Sequence, residues 1–141
     1  MTGNCTLTII KPHSVRDNDT GAILSTINAA GFRIIAIKMI MLSERSAREF
    51  YIAHEGRDFY DPLCKMMCSG PVVVAILEKD NAVNDFRLLI GNTDPEKSGP
   101  GTIRKLFGKS MRENAIHASD GDESAARECA FFFSELERFN Y

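Results

Sequence analysis

Asn114-Ala115-Ile116-His117-Ala118-Ser119-Asp120-Gly121-Asp122 leads into Glu123 to Leu136, and this stretch decides the architecture. Asn114 to His117 reads as a short strand, and Ala118 to Gly121 are small, turn-forming residues. Ala125, Cys129, Phe132 and Leu136 then recur at i, i+4, i+7 and i+11, one face of a helix starting near Asp122. A strand that hands over at once to a half-apolar helix implies a layered α/β protein.

The chain upstream repeats this grammar. Cys5-Thr6-Leu7-Thr8-Ile9 alternates apolar and polar residues, which predicts a strand with one face on a core, stopped by Pro12. Lys11 shares parity with Leu7 and Ile9, so it leaves the strand end on the core side, where a cation is costly unless that face opens into a site. Thr20 is a candidate N-cap for a helix carrying Ile23, Leu24, Ile27 and Ala30 on one stripe, with Gly31 just past its end. Arg33 to Leu42 reads as a second strand, and Ser43 caps a helix whose Ala47, Phe50, Tyr51 and His54 share a face. A short helix over 61–68 ends at Gly70-Pro71, Val72 to Leu77 is a buried strand, and 81–90 is helical. The Gly- and Pro-rich segment 91–101 is a long loop before a short helix over 102–107. Four strands with helices in the crossovers predict an α/β sandwich of ferredoxin-like βαββαβ type, with a four-stranded, mainly antiparallel sheet; a doubly wound parallel sheet is the alternative.

At 141 residues the chain has room for a single domain, 1–141, and no linker or repeat interrupts it. With 44% hydrophobic and 26% charged residues it falls outside the disordered and coiled-coil ranges. A net charge of −2 lacks the basic footprint of sequence-independent nucleic-acid binding, so any anion must be bound locally. The longest uncharged apolar run, Met39 to Leu42, is too short to span a bilayer, and no export signal precedes it; a cytoplasmic protein with no membrane partner is expected. Cys5, Cys64, Cys68 and Cys129 form no metal-binding pattern and read as buried thiols.

The outline Gly91 to Ser98 resembles a phosphate loop, but Glu96 stands where a glycine is needed, and a carboxylate there would repel phosphates. Of the three histidines, His117 stands apart: it ends a strand and is followed by small residues that leave one ring edge open. Glu128 lies roughly 60–70° from the centre of the last helix's apolar stripe, so it can reach inward beside the core. A carboxylate bonded to one imidazole nitrogen fixes the tautomer and frees the other nitrogen to attack. A solvated Glu128, with His117 bonded to Ser119, fits the spacing equally well.

The run Asn114 to Gly121 resembles the active-site signature of nucleoside diphosphate kinases, N-x-x-H-[GA]-S-D, around the histidine that family phosphorylates. Thr8-Ile9-Ile10-Lys11-Pro12, Ser69 to Val73, Gly91 to Pro95 and Pro100 to Arg104 are similar to further segments of the family. The resemblance implies ping-pong transfer: a nucleoside triphosphate such as ATP phosphorylates His117, and a nucleoside diphosphate removes the group. It implies catalytic roles for His117, Lys11, Glu128, Ser119 and Tyr51. Lys11, Arg87 and Arg104 would hold the polyphosphate, with hydroxyls from Thr93 and from Tyr51 at the exposed edge of its helix, and with Asn114 on the ribose or phosphate side. Phe59 matches the base-stacking position, with Leu63 and Met111 beside it; stacking tolerates any base. Mg²⁺ is implied as cofactor, held mainly by nucleotide phosphates and water rather than by a protein cage. A nucleotide-binding regulatory module without phosphotransfer is the alternative.

Three departures bear on these implications. Arg16 to Gly21 replaces the family's usual segment after the first strand, a region used in subunit contacts. Ala53 lies where an acidic residue is common, and the chain ends at Tyr141 soon after the last helix. The first leaves the assembly less defined than the chemistry, the second argues against direct protein help to Mg²⁺, and the third, set against the resemblance, implies a homo-oligomer of bacterial type, tetramer ahead of hexamer.

Overall fold

The structure, a computed structural model, describes residues 3–141. Four strands, β1 (Cys5–Ile10), β2 (Arg33–Ile40), β3 (Val72–Glu78) and β4 (Ile116–Ala118), form one sheet in the order β2-β3-β1-β4. Every pairing is antiparallel, which gives the ferredoxin-like α/β sandwich and removes the parallel alternative. Among the described residues the helices are α1 (Pro12–Arg16), α2 (Thr20–Ala29), α3 (Glu44–Phe50), α4 (Tyr60–Met67), α5 (Ala82–Ile90), α6 (Ile103–Phe107) and α7 (Asp122–Phe132).

Helices cover both faces of the sheet. Leu7, Ile9, Val72, Val74 and Ile76 pack against α3, α4 and α7, whereas Ile10, Val73, Ala75 and Leu77 pack against α2, α5 and α6. A strand buried on both sides reads as an unbroken apolar run, which is what β3 shows. The alternation in β1 therefore does not mark a wet face: Thr6 and Thr8 are fully buried. Thr8 tolerates this because its hydroxyl donates to the His117 carbonyl at 2.9 Å, which also ties β1 to β4.

Several boundaries differ from expectation, each for a local reason. Proline at the first helical position starts α1 immediately after β1, where the sequence suggested only a stop. Helix α2 begins at Thr20 with Asp19 preceding it, so Thr20 is not the cap, while Gly31 takes φ +94° just beyond its end. Strand β4 starts at Ile116 rather than Asn114, because Ala115 adopts φ +78° and cannot continue a strand inward. Helix α7 stops at Phe132: Phe133 turns extended into the core, and Ser134 opens a capping box with Glu137. Leu136 is consequently 91% exposed rather than on the buried stripe. Burial of Cys129 and Phe132 against β1, worth roughly 1.5–3 kcal/mol for the Phe side chain, fixes the face that α7 turns toward β4.

Candidate active site

Lys11 occupies the junction between β1 and α1 and is only 6% exposed. Its Nζ donates to Asn114 Oδ1 at 2.7 Å and to the Arg112 carbonyl at 3.4 Å. No carboxylate among the described residues pairs with it. Burial, reinforced by the Arg104 guanidinium, lowers its pKa to about 7.

His117 stands in the middle of β4, opposite Ile9. The edges of Phe50 and Tyr51 pack around its ring, with centroids 5.2 and 5.9 Å away. Its Nε2 lies 2.8 Å from Glu128 Oε1, and the Ser119 hydroxyl donates to the same oxygen at 2.9 Å while accepting from the Leu7 backbone N–H at 3.1 Å. A carboxylate only accepts, so Nε2 carries the ring proton and Nδ1 keeps its lone pair, with no protein partner among the described residues. Of the two arrangements the spacing left open, Glu128 is the buried one facing His117.

Arg104, on α6, donates to the carbonyls of Gly91 and Ile116 at 3.2 and 2.9 Å, which leaves its buried Nε unpartnered. Burial and the neighbouring Arg87 lower its pKa to about 10. Arg87 reaches the Ser119 carbonyl at 3.5 Å from α5 and stands behind the site. Asn114 is held by Thr93 and Met111, whose carbonyls accept from its Nδ2 at 3.1 and 3.0 Å. The loop carrying Thr93 folds tightly onto α6 because Gly91, at φ +88°, has no side chain: a Cβ there would sit 1.9 Å from Ser98 Oγ.

These residues surround a cavity of about 470 Å³. Lys11, Arg104, Thr93, Asn114 and His117 are among its polar lining, and Phe59, Leu63 and Met111 among its apolar lining. Phe59 is 40% exposed, with the Arg57 guanidinium 5.8 Å above its ring. Tyr51 also lines the cavity but is buried rather than edge-exposed, because it caps the end of α3 and turns into the core. Its hydroxyl has no partner among the described residues, and burial pushes its pKa up, so it remains a donor. Arg87, Ser119 and Glu128 do not line the cavity; they sit behind His117. Arg112 and Ala118 line it without having been singled out from the sequence. Arg112 belongs to no periodic pattern, while Ala118 could have been found as the small residue following His117.

A basic imidazole nitrogen, three basic side chains (Lys11, Arg104 and Arg112), an unpartnered hydroxyl and an exposed aromatic in one cleft suit a polyanion with a planar end. No group of three or more His, Cys, Asp or Glu among the described residues could hold a metal. Cys64 is buried, Cys68 half-buried, and all four cysteines are free.

Comparison with known proteins bears on this cleft. The nucleoside diphosphate kinase family model matches residues 4–138. The nucleoside diphosphate kinase of Flavobacterium psychrophilum is 49% identical over 99% of this chain and 100% of its own length. That of Chlorobium limicola is 52% identical over 94% of each. Among solved structures, the Aquifex aeolicus nucleoside diphosphate kinase superposes with a TM-score of 0.94 at 43% identity, covering 96% of this chain and 99% of that one. A halophilic nucleoside diphosphate kinase from Halobacterium salinarum, solved in complex with CDP, superposes with a TM-score of 0.92 at 32% identity, covering 99% and 93%.

Proposed function

Because the chain belongs to the nucleoside diphosphate kinase family and is therefore a phosphotransferase acting on nucleotides, we propose that His117 is the group that carries the phosphoryl in transit. The observation that carries this reading is the 2.8 Å contact between Nε2 and Glu128, which leaves the Nδ1 lone pair free. In the first half-reaction Nδ1 attacks the γ-phosphorus of a nucleoside triphosphate, a P–N bond forms, the bond to the β-phosphate oxygen breaks, and the diphosphate leaves. In the second, a β-phosphate oxygen of another diphosphate attacks the same phosphorus and the P–N bond breaks. The partial positive charge that grows on the imidazole falls on Nε2–H, where Glu128 balances it.

Lys11, Arg104 and Arg112 counter the phosphate charge, while the Tyr51 hydroxyl and Thr93 offer donors. Arg87 and Ser119 act one layer back: Arg87 donates to the Ser119 carbonyl, and the Ser119 hydroxyl donates to Glu128. Phe59, Leu63 and Met111 take the base without reading its edges, and Asn114, anchored by Lys11 and Thr93, shapes the ribose and phosphate end. A related protein bound to CDP supports a diphosphate in this cleft.

The cavity's polar side chains among the described residues are cations, hydroxyls, an amide and a single imidazole, with no carboxylate or thiol in the lining, so they do not fit a protein-held metal. Mg²⁺, in this reading, comes with the nucleotide and neutralises part of its phosphate charge. Among the described residues no helix is long and apolar enough to cross a membrane. We read residues 1–141 as one kinase domain working in the cytoplasm, where four free thiols would stay reduced. We further read it as a homo-oligomer, since Ile37, Met39 and Met41 are exposed along the edge strand β2 and just beyond it; tetramer ahead of hexamer is the order that the resemblance implies. Sedimentation measures the assembly.

Incubation with γ-labelled ATP tests the function. Acid-labile label on His117 that ADP removes supports it; no label, or label elsewhere, overturns it and favours a nucleotide-binding module that transfers nothing.

A further inference from the structure

His13, in α1, is 1% exposed and belongs to none of the roles above. Its Nε2 accepts the backbone N–H of Ala115 at 2.9 Å. The carbonyl of the same Ala115 accepts the Lys11 backbone N–H at 2.8 Å. Both polar groups of one residue are thus clamped by two residues of the β1–α1 junction.

Ala115 is the residue that most needs a clamp. It is a fully buried alanine at φ +78°, in the sparsely populated left-handed region, where a side chain is disfavoured unless its surroundings hold it. On one side lies Asn114, whose Oδ1 receives Lys11. On the other lies Ile116, whose carbonyl receives Arg104, and then His117. A change at Ala115 therefore shifts the amide, both cations' anchors and the attacking imidazole relative to one another.

An imidazole nitrogen that accepts a hydrogen bond must be unprotonated, so His13 carries its proton on Nδ1, which is buried without a partner. The charged groups facing it are Glu113 and Lys109 from the loop before β4, Lys11 at the end of β1, and Asp17 at the end of α1. Burial outweighs them and holds its pKa below the usual imidazole range. The ring is thus neutral at neutral pH and able to accept. An unpartnered buried N–H is unfavourable, and its retention is understandable if Nε2 is the working end.

We propose that His13 is a positioning residue for phosphoryl transfer: neutral Nε2 holds Ala115 in its left-handed conformation and thereby sets Asn114 and His117 in register with Lys11. The proposal rests on His117 being the phosphoryl carrier.

The test compares single-turnover phosphorylation of His117 by γ-labelled ATP, and ADP affinity, across the parent, His13→Leu, His13→Gln, and His13→Leu combined with Ala115→Gly. Leucine removes the acceptor, glutamine places an oxygen near the position of Nε2, and glycine adopts positive φ without help. His13→Leu is expected to slow phosphorylation by roughly 10- to 10²-fold and to weaken ADP less, with glutamine and the added glycine each restoring the rate to within about threefold of the parent. Should His13→Leu fail to fold, the other two variants decide by the same criterion. A His13→Leu rate near the parent's, or no recovery with either glutamine or glycine while the parent takes label, overturns the positioning role alone. A parent that takes no label overturns the carrier role of His117, and the positioning role with it.

Discussion

His117 Nε2 and Glu128 Oε1 lie 2.8 Å apart, and the Ser119 hydroxyl reaches the same carboxylate oxygen at 2.9 Å. That oxygen accepts two hydrogen bonds at once, so the imidazole cannot turn to present Nε2 to the cavity without breaking one. Glu128→Gln can turn an amide N–H toward Nε2, which needs an acceptor. Phosphorylation of His117 should fall by roughly 10²–10⁴, with nucleotide affinity nearly unchanged, because no phosphate contact is lost. Rapid-quench measurement checks this, and a parental rate with weakened binding would contradict it.

His117→Ala should abolish both labelling and net transfer while leaving the circular dichroism spectrum intact. A covalent nucleophile has no substitute in binding energy. Residual transfer within about tenfold of the parent would rule out a phosphohistidine path.

Phe59 lines the cavity and offers no polar atom to a base. Phe59→Ala should therefore weaken adenine, guanine, cytosine and uracil diphosphates alike, by about 1–3 kcal/mol, without reordering them. Calorimetric titration of the four gives the answer; a loss confined to purines would mean that base edges are read.

Lys11 supplies a pH dependence with a definite sign. Its pKa of about 7 lies far below the ordinary lysine value of 10.5, so above neutrality the lysine is largely uncharged. Phosphates favour the ammonium, hence ADP binding at pH 8 should take up a proton, and affinity should decline as pH rises from 7. Stability moves the other way: between the two values the unfolded chain holds a proton that the folded chain does not, so the cost of burying the ammonium fades as pH rises. Titrations in buffers of different ionisation heat count the proton, and Lys11→Arg should eliminate its uptake. No uptake in the parent would mean that Lys11 stays charged when the site is empty.

Much of this architecture was legible in the residues. Val72 to Leu77 announces a strand covered on both sides, and the stripe through Ala125, Cys129 and Phe132 brings Glu128 within reach of the core, although spacing alone fits a solvated Glu128 equally well and only the fold pairs it with His117. Strand parity puts Lys11 inside. Other features were not legible for physical reasons. Alanine carries no signal for positive φ, so Ala115 looked like ordinary strand, and its conformation comes from the His13 and Lys11 bonds across the fold. Tyr51 shares a helical face with Ala47, but the helix ends one residue before it, and the turn carries the ring inward. Leu136 keeps the helical spacing, yet burial of Phe133 breaks the helix first.

The sheet order places the site across a gradient of persistence. Lys11 follows β1, which is paired on both sides, by β3 and by β4, whereas His117 belongs to a three-residue edge strand paired only with β1. Edge segments with few ladder bonds open at lower free energy than central strands. Amide hydrogens of Ile116 to Ala118 should accordingly exchange with solvent well before those of Val74 or Ala75 in β3, which is flanked by β1 and β2. Mild denaturant should then silence the enzyme while the sheet's centre is still intact, so inactivation reports a local opening of β4 rather than collapse of the molecule.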